Sequence, residues 1–280
     1  MKFSRVRNFL IVVFSVASTI YALYRLIFRL LEKEMLKTRP AGLANPADLG
    51  LEYQEISIQS GKRRLQAWYV PAAASNDVRK AVLIFHGIDE CLADWVPALG
   101  YLHEHGISAL VFDYSGYGNS QGQATLANLR QDAQAAYAAF LSKVPNGLQK
   151  IALGYSLGSG VLLEAAPGFA TPPDGLVVVA AYSSARDAAV RLGALPARLN
   201  FVIPDVFNNV QAVQQLNVPL LVIHSQDDDL FPTWMPSKIY AAANEPKRLV
   251  LLQGLKHGDM LEGKAGEYLD PLVEFMYNPR

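Results

Sequence analysis

The residues best able to do chemistry in this sequence are a serine between two glycines, a run of three aspartates and a histidine that follows them. Ser156 lies in residues 154–158 (GYSLG), after an apolar run and before a helical pattern. A strand, a sharp turn and a helix form a nucleophile elbow, which projects a serine hydroxyl above a sheet. The flanking glycines let neighbouring backbone come close. We therefore predict that Ser156 is a nucleophile rather than a structural turn serine.

Strand and helix patterns alternate along the chain after residue 50. A hairpin is predicted over residues 52–70 because two alternating runs flank a turn. Continuous apolar runs predict strands buried on both faces at residues 81–85, 109–112, 151–153, 175–181, 219–224 and 248–252. This alternation predicts an α/β fold, with a mostly parallel sheet and helices on both faces.

Polar residues follow several of these strands, where the active site of such a sheet lies. Ser156, an aspartate among residues 227–229 and His257 come in the order of an α/β-hydrolase triad. A serine needs a base to take its proton, and the base needs an acid to fix its tautomer. His257 fits the base better than His86, His103, His105 and His224. Spacing alone does not decide which of Asp227, Asp228 and Asp229 is the acid.

From about Tyr53 onward, the chain resembles an alpha/beta-hydrolase of the BEM46-like or serine aminopeptidase S33-like (ABHD-type) branch. The resemblance rests on the segments VLIFHG (82–87), FDYSGYGNSQG (112–122), GYSLGSG (154–160), PLLVIHSQDDDLFP (219–232) and GLKHGD (254–259). Three positions depart from the family pattern. Ser115 replaces an arginine, Ile88 replaces an asparagine after His-Gly, and Ser225 replaces a glycine in the acid loop.

The resemblance implies a Ser156–Asp228–His257 triad, because His224 and Pro232 frame Asp228 in the family pattern. The oxyanion hole would be the backbone N–H groups of Leu157, at the start of a helix, and of Ile88. The expected function is a serine hydrolase that cleaves a carboxylic ester or thioester through an acyl-enzyme, with no metal or organic cofactor. The alternatives are a serine peptidase or amidase of the same fold and a non-catalytic, membrane-tethered domain.

A short cap segment is expected at about residues 182–216, over an open, modest pocket. Large apolar residues in it could line an acyl site or merely cover the sheet: Leu192, Leu195, Leu199, Phe201, Val202, Ile203 and Phe207.

An uncharged apolar run at residues 9–24 precedes the hydrolase-like part. It is short of the roughly 20 residues that span a bilayer, but Arg25 and Arg29 could snorkel to the headgroups. We expect a single-pass membrane anchor (1–37), a linker (38–50) and the hydrolase domain (51–280). A cleaved signal sequence and an amphipathic or buried helix are the alternatives. Lysines and arginines flank the run on both sides, so they do not orient it.

The bulk composition narrows the partners. The 280 residues carry 25 basic and 25 acidic side chains. This charge balance does not favour a nucleic acid as the partner. Cys91 is the only cysteine, which excludes an internal disulfide and a cysteine-based metal site. The expected partners are a small-molecule ester, thioester or lipid-like substrate and a membrane.

Overall fold

An eight-stranded sheet organises the chain after residue 50 in the computed structural model, which describes residues 2–73, 80–194 and 196–277. Its strands are β1 (Gln54–Ser60), β2 (Arg63–Val70), β3 (Lys80–Phe85), β4 (Ile107–Phe112), β5 (Gln149–Tyr155), β6 (Gly175–Val179), β7 (Leu220–Ser225) and β8 (Lys247–Leu252). They lie in the order β1-β2-β4-β3-β5-β6-β7-β8. The β1–β2 hairpin joins antiparallel to β4, and the other pairings are parallel. The predicted α/β fold is confirmed.

Helices cover the sheet on both faces. After the first helix, α1 (Lys2–Met35), these are α2 (Val96–Glu104), α3 (Leu126–Lys143), α4 (Leu157–Ala165), α5 (Ala185–Arg191), α6 (Asn209–Val213), α7 (Trp234–Ala242) and α8 (Ala265–Tyr277). Val82 and Ile84 of β3 join the core cluster that contains residues of α2 and α8. Leu83 and Phe85 alternate with them, are also fully buried, and point to the opposite face. This double burial explains the continuous apolar runs in the sequence.

The chain divides into two compact units, residues 1–37 and 38–280. The first contains α1, whose stretch Leu10–Leu30 is 21 residues long and apolar, with no buried part. This is the one helix of the described residues that is long and apolar enough to cross a membrane.

Residues 38–50, for which the sequence predicts a linker, pack within the second unit. The Arg39 guanidinium contacts the Asp94 carboxylate at 2.8 Å, and Gly118 N–H donates to the Arg39 carbonyl at 2.9 Å. Asn45 caps a short 3₁₀ turn at Pro46–Leu49. The composition is that of a linker, but tertiary contacts order it.

The cap segment between β6 and β7 contains α5, a 3₁₀ turn at Ala197–Val202 and α6. Ile203 and Phe207 are buried, whereas Leu192, Leu199 and Phe201 are exposed by 53%, 38% and 69%. Leu195 and the Val202 side chain lie outside the described part. Ile203 and Phe207 are thus packed inside the domain, whereas the other three described residues are open to solvent.

A buried aspartate on α3 ties the hairpin to the loop after β4. Asp132 is fully buried, and its carboxylate accepts hydrogen bonds from Ser60 Oγ (2.5 Å), Arg63 Nη2 (3.2 Å) and Ser115 N–H (2.8 Å). Arg63 Nε also donates to Ser115 Oγ at 2.7 Å. A guanidinium thus lies beside position 115, where the family pattern has an arginine, but it comes from β2.

Replacing Asp132 by alanine should lower the free energy of unfolding by about 3–5 kcal/mol, because it leaves a partly buried cation and buried donors without their acceptor. Urea unfolding of the purified variant measures this change. Asp174→Asn is the control: this exposed aspartate also accepts one backbone N–H, from Lys150 at 2.7 Å, and its loss should cost within about 1 kcal/mol. Equal stabilities of the two variants would contradict the role of Asp132.

Candidate active site

Ser156 occupies a strained turn between β5 and α4. Its φ of 50° and ψ of −115° place a non-glycine residue outside the regions that L-residues normally adopt. The Ser156 N–H donates to the Val179 carbonyl of the neighbouring strand at 3.0 Å. The turn is therefore held from the sheet, and the serine lies at the N-terminus of α4 as the sequence predicts.

Two glycines allow this turn because the backbone approaches them closely. A Cβ on Gly158 would lie 1.9 Å from the Phe85 carbonyl oxygen at the end of β3. A Cβ on Gly154 would lie 2.6 Å from the Gly158 carbonyl oxygen. Both contacts involve backbone, which cannot turn aside as a side chain would. The spacing in GYSLG thus reflects the packing of α4 against β3 and β5.

His257 joins the predicted serine and acid. Its Nε2 lies 2.9 Å from Ser156 Oγ, and its Nδ1 lies 2.8 Å from Asp228 Oδ2. All three residues are buried, with 5% (Ser156), 7% (His257) and 9% (Asp228) exposure. With Nδ1–H donating to Asp228, Nε2 is the acceptor for the serine proton. The structure thus brings together three residues that are far apart in the chain.

The acid loop uses all three consecutive aspartates, each in a different way. Asp228 faces the histidine ring, and its Oδ1 accepts the N–H groups of Leu230 (2.9 Å) and Phe231 (2.7 Å). Asp227 accepts the Gly254 N–H at 2.6 Å, and Asp229 accepts the His257 N–H at 3.2 Å. The flanking aspartates therefore hold the loop that carries the histidine.

Asp228 remains ionised in this setting. Burial opposes its charge, but the hydrogen bond from His257, the positive charge that this ring can carry and the Phe231 N–H outweigh it and hold the pKa of the carboxyl below its usual value. A charged acceptor at Nδ1–H fixes the tautomer of the imidazole and stabilises its protonated form.

The other histidines have separate structural contacts. His103 Nδ1 contacts the Pro71 carbonyl and His105 Nδ1 the Tyr101 carbonyl, at 2.7 and 2.8 Å. His224 Nε2 contacts the Phe231 carbonyl at 2.9 Å and lies 4.0 Å from the Asp228 carboxylate. His86 is fully buried, and desolvation lowers its pKa to about 4. None of the four lies within hydrogen-bond distance of Ser156 in the described structure.

Two backbone N–H groups border the site at the predicted oxyanion hole. Leu157 is the first residue of α4, so its N–H has no partner within the helix. Ile88 follows His86-Gly87 after β3, and no acceptor for its N–H occurs in the described part of the chain. The approach of Gly158 to Phe85 and His86 brings the two segments together.

Aromatic residues that the sequence did not single out surround the histidine. The Phe231 ring lies 5.1 Å from the His257 ring in an edge arrangement, and the Tyr182 ring lies 5.5 Å from Phe231. The Tyr155 hydroxyl donates to the His257 carbonyl. The only local signal is position, since Tyr155 precedes the serine and Phe231 lies in the acid loop. Within the described residues no cluster of three or more metal-ligating side chains occurs.

Comparison with known proteins agrees with this geometry. A family model described as "Serine aminopeptidase, S33" matches residues 76–209. An uncharacterized protein of Mycobacterium tuberculosis is 32% identical over 225 residues, which cover 79% of this chain and 77% of that protein. The lysophosphatidylserine lipase ABHD12 of Danio rerio is 26% identical over 160 residues, which cover 51% of this chain and 41% of the lipase. The chain belongs to the ABHD-type alpha/beta-hydrolases.

The fold of this hydrolase also occurs in solved structures. An esterase of Pyrococcus furiosus superposes with a TM-score of 0.69 at 19% identity, over 86% of this chain and 97% of the esterase. The family resemblance and the predicted fold are thereby confirmed, and the protein is a hydrolase.

Replacing Gly158 by alanine should cut the rate of Ser156 labelling by a fluorophosphonate about 10²-fold, because the new methyl group pushes α4 away from β3 and misplaces the serine. The labelling rate at fixed probe concentration is the measurement. Gly168→Ala is the control, since its Cβ would meet only the flexible end of Gln134, at 3.0 Å. Wild-type labelling of Gly158→Ala would contradict this account of the elbow.

Proposed function

We propose that this hydrolase cleaves a carboxylic ester or thioester through an acyl-enzyme formed on Ser156. The observation that carries the proposal is the position of His257, whose two ring nitrogens lie 2.9 Å from Ser156 Oγ and 2.8 Å from Asp228 Oδ2. A nucleophile, a base and an orienting acid at hydrogen-bond distances are the arrangement that acyl transfer by serine requires.

Acylation follows from these contacts. His257 Nε2 takes the proton of Ser156 Oγ as the oxygen attacks the substrate carbonyl carbon. The carbonyl oxygen becomes an oxyanion, which the N–H groups of Leu157 and Ile88 stabilise. The tetrahedral intermediate collapses, the bond to the leaving group breaks, and the protonated His257 gives its proton to the departing alcohol or thiol. The acyl group stays on Ser156.

Deacylation repeats the sequence with water. His257, neutral again, takes a proton from a water molecule as its oxygen attacks the acyl carbonyl. The second tetrahedral intermediate expels Ser156 Oγ, which receives the proton from His257. The carboxylic acid leaves and the enzyme is regenerated. Asp228 keeps its negative charge throughout and stabilises the imidazolium at each proton transfer.

Esters and thioesters are favoured over peptides as substrates by the relatives and by the surroundings of the site. The Danio rerio relative is named a lysophosphatidylserine lipase, and the Pyrococcus furiosus protein is an esterase. Phe231 packs edge-on against His257, and Tyr182 packs against Phe231, so the surroundings of the base are apolar and suit an apolar acyl group. A screen of p-nitrophenyl esters, acyl thioesters and amino-acid anilides, each over several chain lengths, separates ester, thioester and peptide hydrolysis.

Ser156→Ala should abolish both fluorophosphonate labelling and ester hydrolysis. Asp228→Asn should reduce kcat about 10⁴-fold, because an amide favours the wrong imidazole tautomer. Asp227→Asn, which keeps an acceptor for the Gly254 N–H, should reduce kcat far less. Labelling of Ser156→Ala equal to wild type, or absence of labelling in the folded wild type, would contradict the enzyme and favour a non-catalytic domain.

We also propose that α1 anchors the enzyme in a membrane. The 21-residue stretch Leu10–Leu30 would be about 32 Å long as a helix, which matches the roughly 30 Å hydrocarbon core of a bilayer. Its described side chains include large apolar groups exposed by half or more, among them Leu10, Phe14 and Ile20. A bilayer would cover this surface, and a single helix would hold the hydrolase at its lipid substrates.

The full-length protein should remain in the membrane pellet after washes with 1 M salt and alkaline carbonate (about pH 11), and only detergent should release it, because α1 would bury apolar rather than charged surface. Immunoblotting of the fractions measures this. Mass spectrometry of the N-terminus tests the signal-sequence alternative. Release without detergent, or loss of the α1 residues from the mature protein, would contradict the anchor.

A further inference from the structure

A buried glutamate that the triad does not use lies directly behind the oxyanion loop. Glu90 is only 7% exposed. Its Oε2 accepts the Gly87 N–H at 2.7 Å and the Trp95 indole N–H at 3.0 Å. Burying a carboxyl group costs free energy unless hydrogen bonds replace those it made with water. The position of Glu90 therefore suggests a specific role.

The contact with Gly87 sets the direction of the neighbouring peptide. Residues 86–90 turn back on themselves at Asp89, whose φ of 57° lies in the left-handed region. The turn brings the Glu90 carboxyl against Gly87 so closely that a Cβ there would lie 2.2 Å from Glu90 Oε1. The Gly87 N–H is taken by Glu90, whereas the Ile88 N–H has no acceptor among the described residues and is available for an oxyanion.

The second contact ties the glutamate to the framework around the serine and histidine. The Trp95 ring is fully buried and packs edge-on against Tyr155, with ring centres 5.8 Å apart. Tyr155 precedes the serine and donates its hydroxyl to the His257 carbonyl. Glu90 therefore connects the oxyanion loop to the strand and the loop that carry the triad.

We propose that Glu90 is a positioning residue of the oxyanion site, which fixes the Gly87–Ile88 peptide so that the Ile88 N–H faces Ser156, and that it does so as a neutral carboxylic acid. The inference rests on the proposed function, since it needs an oxyanion to form beside Ser156. Glu90 acts through the backbone and does not itself contact the reacting atoms.

Two arguments favour the neutral form of Glu90: its burial, and the negative charge of the oxyanion that would form nearby. Burial raises the pKa of Glu90 to about 8, further raised by Asp94 and partly offset by the hydrogen bonds from Gly87 and Trp95 and by Arg39. The phenols of Tyr114, Tyr117 and Tyr155 and the acid Asp89 also lie close enough to influence this region. A carboxylate behind the loop would repel the oxyanion that Ile88 stabilises, whereas a neutral acid keeps the acceptor without that charge.

Glu90→Gln and Glu90→Ala separate positioning from mere packing. Glutamine keeps a carbonyl oxygen for Gly87 and Trp95, so kcat near pH 7 should stay within about threefold of wild type. Alanine leaves both donors without an acceptor, and kcat should fall roughly 10²-fold with KM nearly unchanged, as for loss of an oxyanion donor. The affinity for an alkyl trifluoromethyl ketone, which forms a tetrahedral adduct on the serine, should fall in parallel with kcat/KM.

The pH dependence tests the charge state. In the wild type, kcat should decline as the pH rises through about 8, and the Gln variant should lack this decline. Stability gives a readout independent of activity. The pKa of Glu90 is about 8 in the folded protein, compared with an ordinary value of 4.5. The native state therefore becomes less stable relative to the unfolded state as the pH rises from 4.5 to about 8. The melting temperature of the wild type should therefore fall relative to that of Glu90→Gln across this range.

The wild type has to be compared with Glu90→Gln, and not judged alone, because another buried carboxyl group near this site also has a raised pKa. Asp113 lies 3.5 Å from His86 on the same side of the sheet, and burial raises its pKa to about 7. It is present in both proteins, so its contribution cancels in the comparison. Glu164→Gln is the matched control: this partly buried glutamate also accepts a backbone N–H, from Phe207 at 2.7 Å, but belongs to the other end of α4.

The outcomes distinguish the inference from the function on which it rests. Wild type that labels at Ser156, with Glu90→Ala equal to Glu164→Gln in kcat and in ketone affinity, would overturn the role of Glu90 alone. Wild type that does not label would overturn the proposed function and this inference with it. If Glu90→Ala does not fold, an identical pH profile of kcat in wild type and Glu90→Gln overturns the neutral acid.

Discussion

The close approach of helix α4 to the end of β3 is the constraint on which the rest of this structure depends. Gly158 lies so near the Phe85 carbonyl that no side chain fits between them. This contact keeps Ser156 in a backbone conformation that a non-glycine residue otherwise avoids. It also brings the helix N–H of Leu157 beside the loop that begins at His86. The sheet and its burial supply the energy that holds a locally unfavourable turn.

The loops around the serine are held in part by backbone N–H groups that donate hydrogen bonds to carboxyl groups. Asp227 and Asp229 accept N–H groups from the histidine loop, while Asp228 between them faces the ring. Glu90 accepts an N–H from the oxyanion loop in the same way. A carboxyl group can accept several hydrogen bonds and so fixes a loop that has no regular structure. The three consecutive aspartates thus act together: the outer two hold the histidine loop, and the side chain of the middle one faces the His257 ring.

A buried carboxylate away from the site also holds separate segments together by accepting hydrogen bonds. Asp132 on α3 accepts hydrogen bonds from the hairpin and from the loop after β4, and so joins three segments of the chain. Not every buried group is paired within the described residues: His86 Nε2 and His224 Nδ1 have no hydrogen-bond partner there. Desolvation lowers the pKa of both rings. Neither ring lies within hydrogen-bond distance of Ser156, unlike His257, and this distance removes them as competitors for its role.

The sequence alone determined the elements whose signal is local. Two-sided burial makes β3 to β7 read as apolar runs, and close backbone contact leaves glycines around Ser156, so the fold and the turn that carries Ser156 could be predicted from residue order. Residue spacing did not choose among three adjacent aspartates, because neighbours in sequence differ only in the direction of their side chains, and only the family resemblance indicated Asp228. Spacing also did not predict Arg63 beside Ser115, the ordered segment 38–50 or Glu90 behind Gly87. Each depends on contacts between distant segments, which exist only once the sheet and helices have packed.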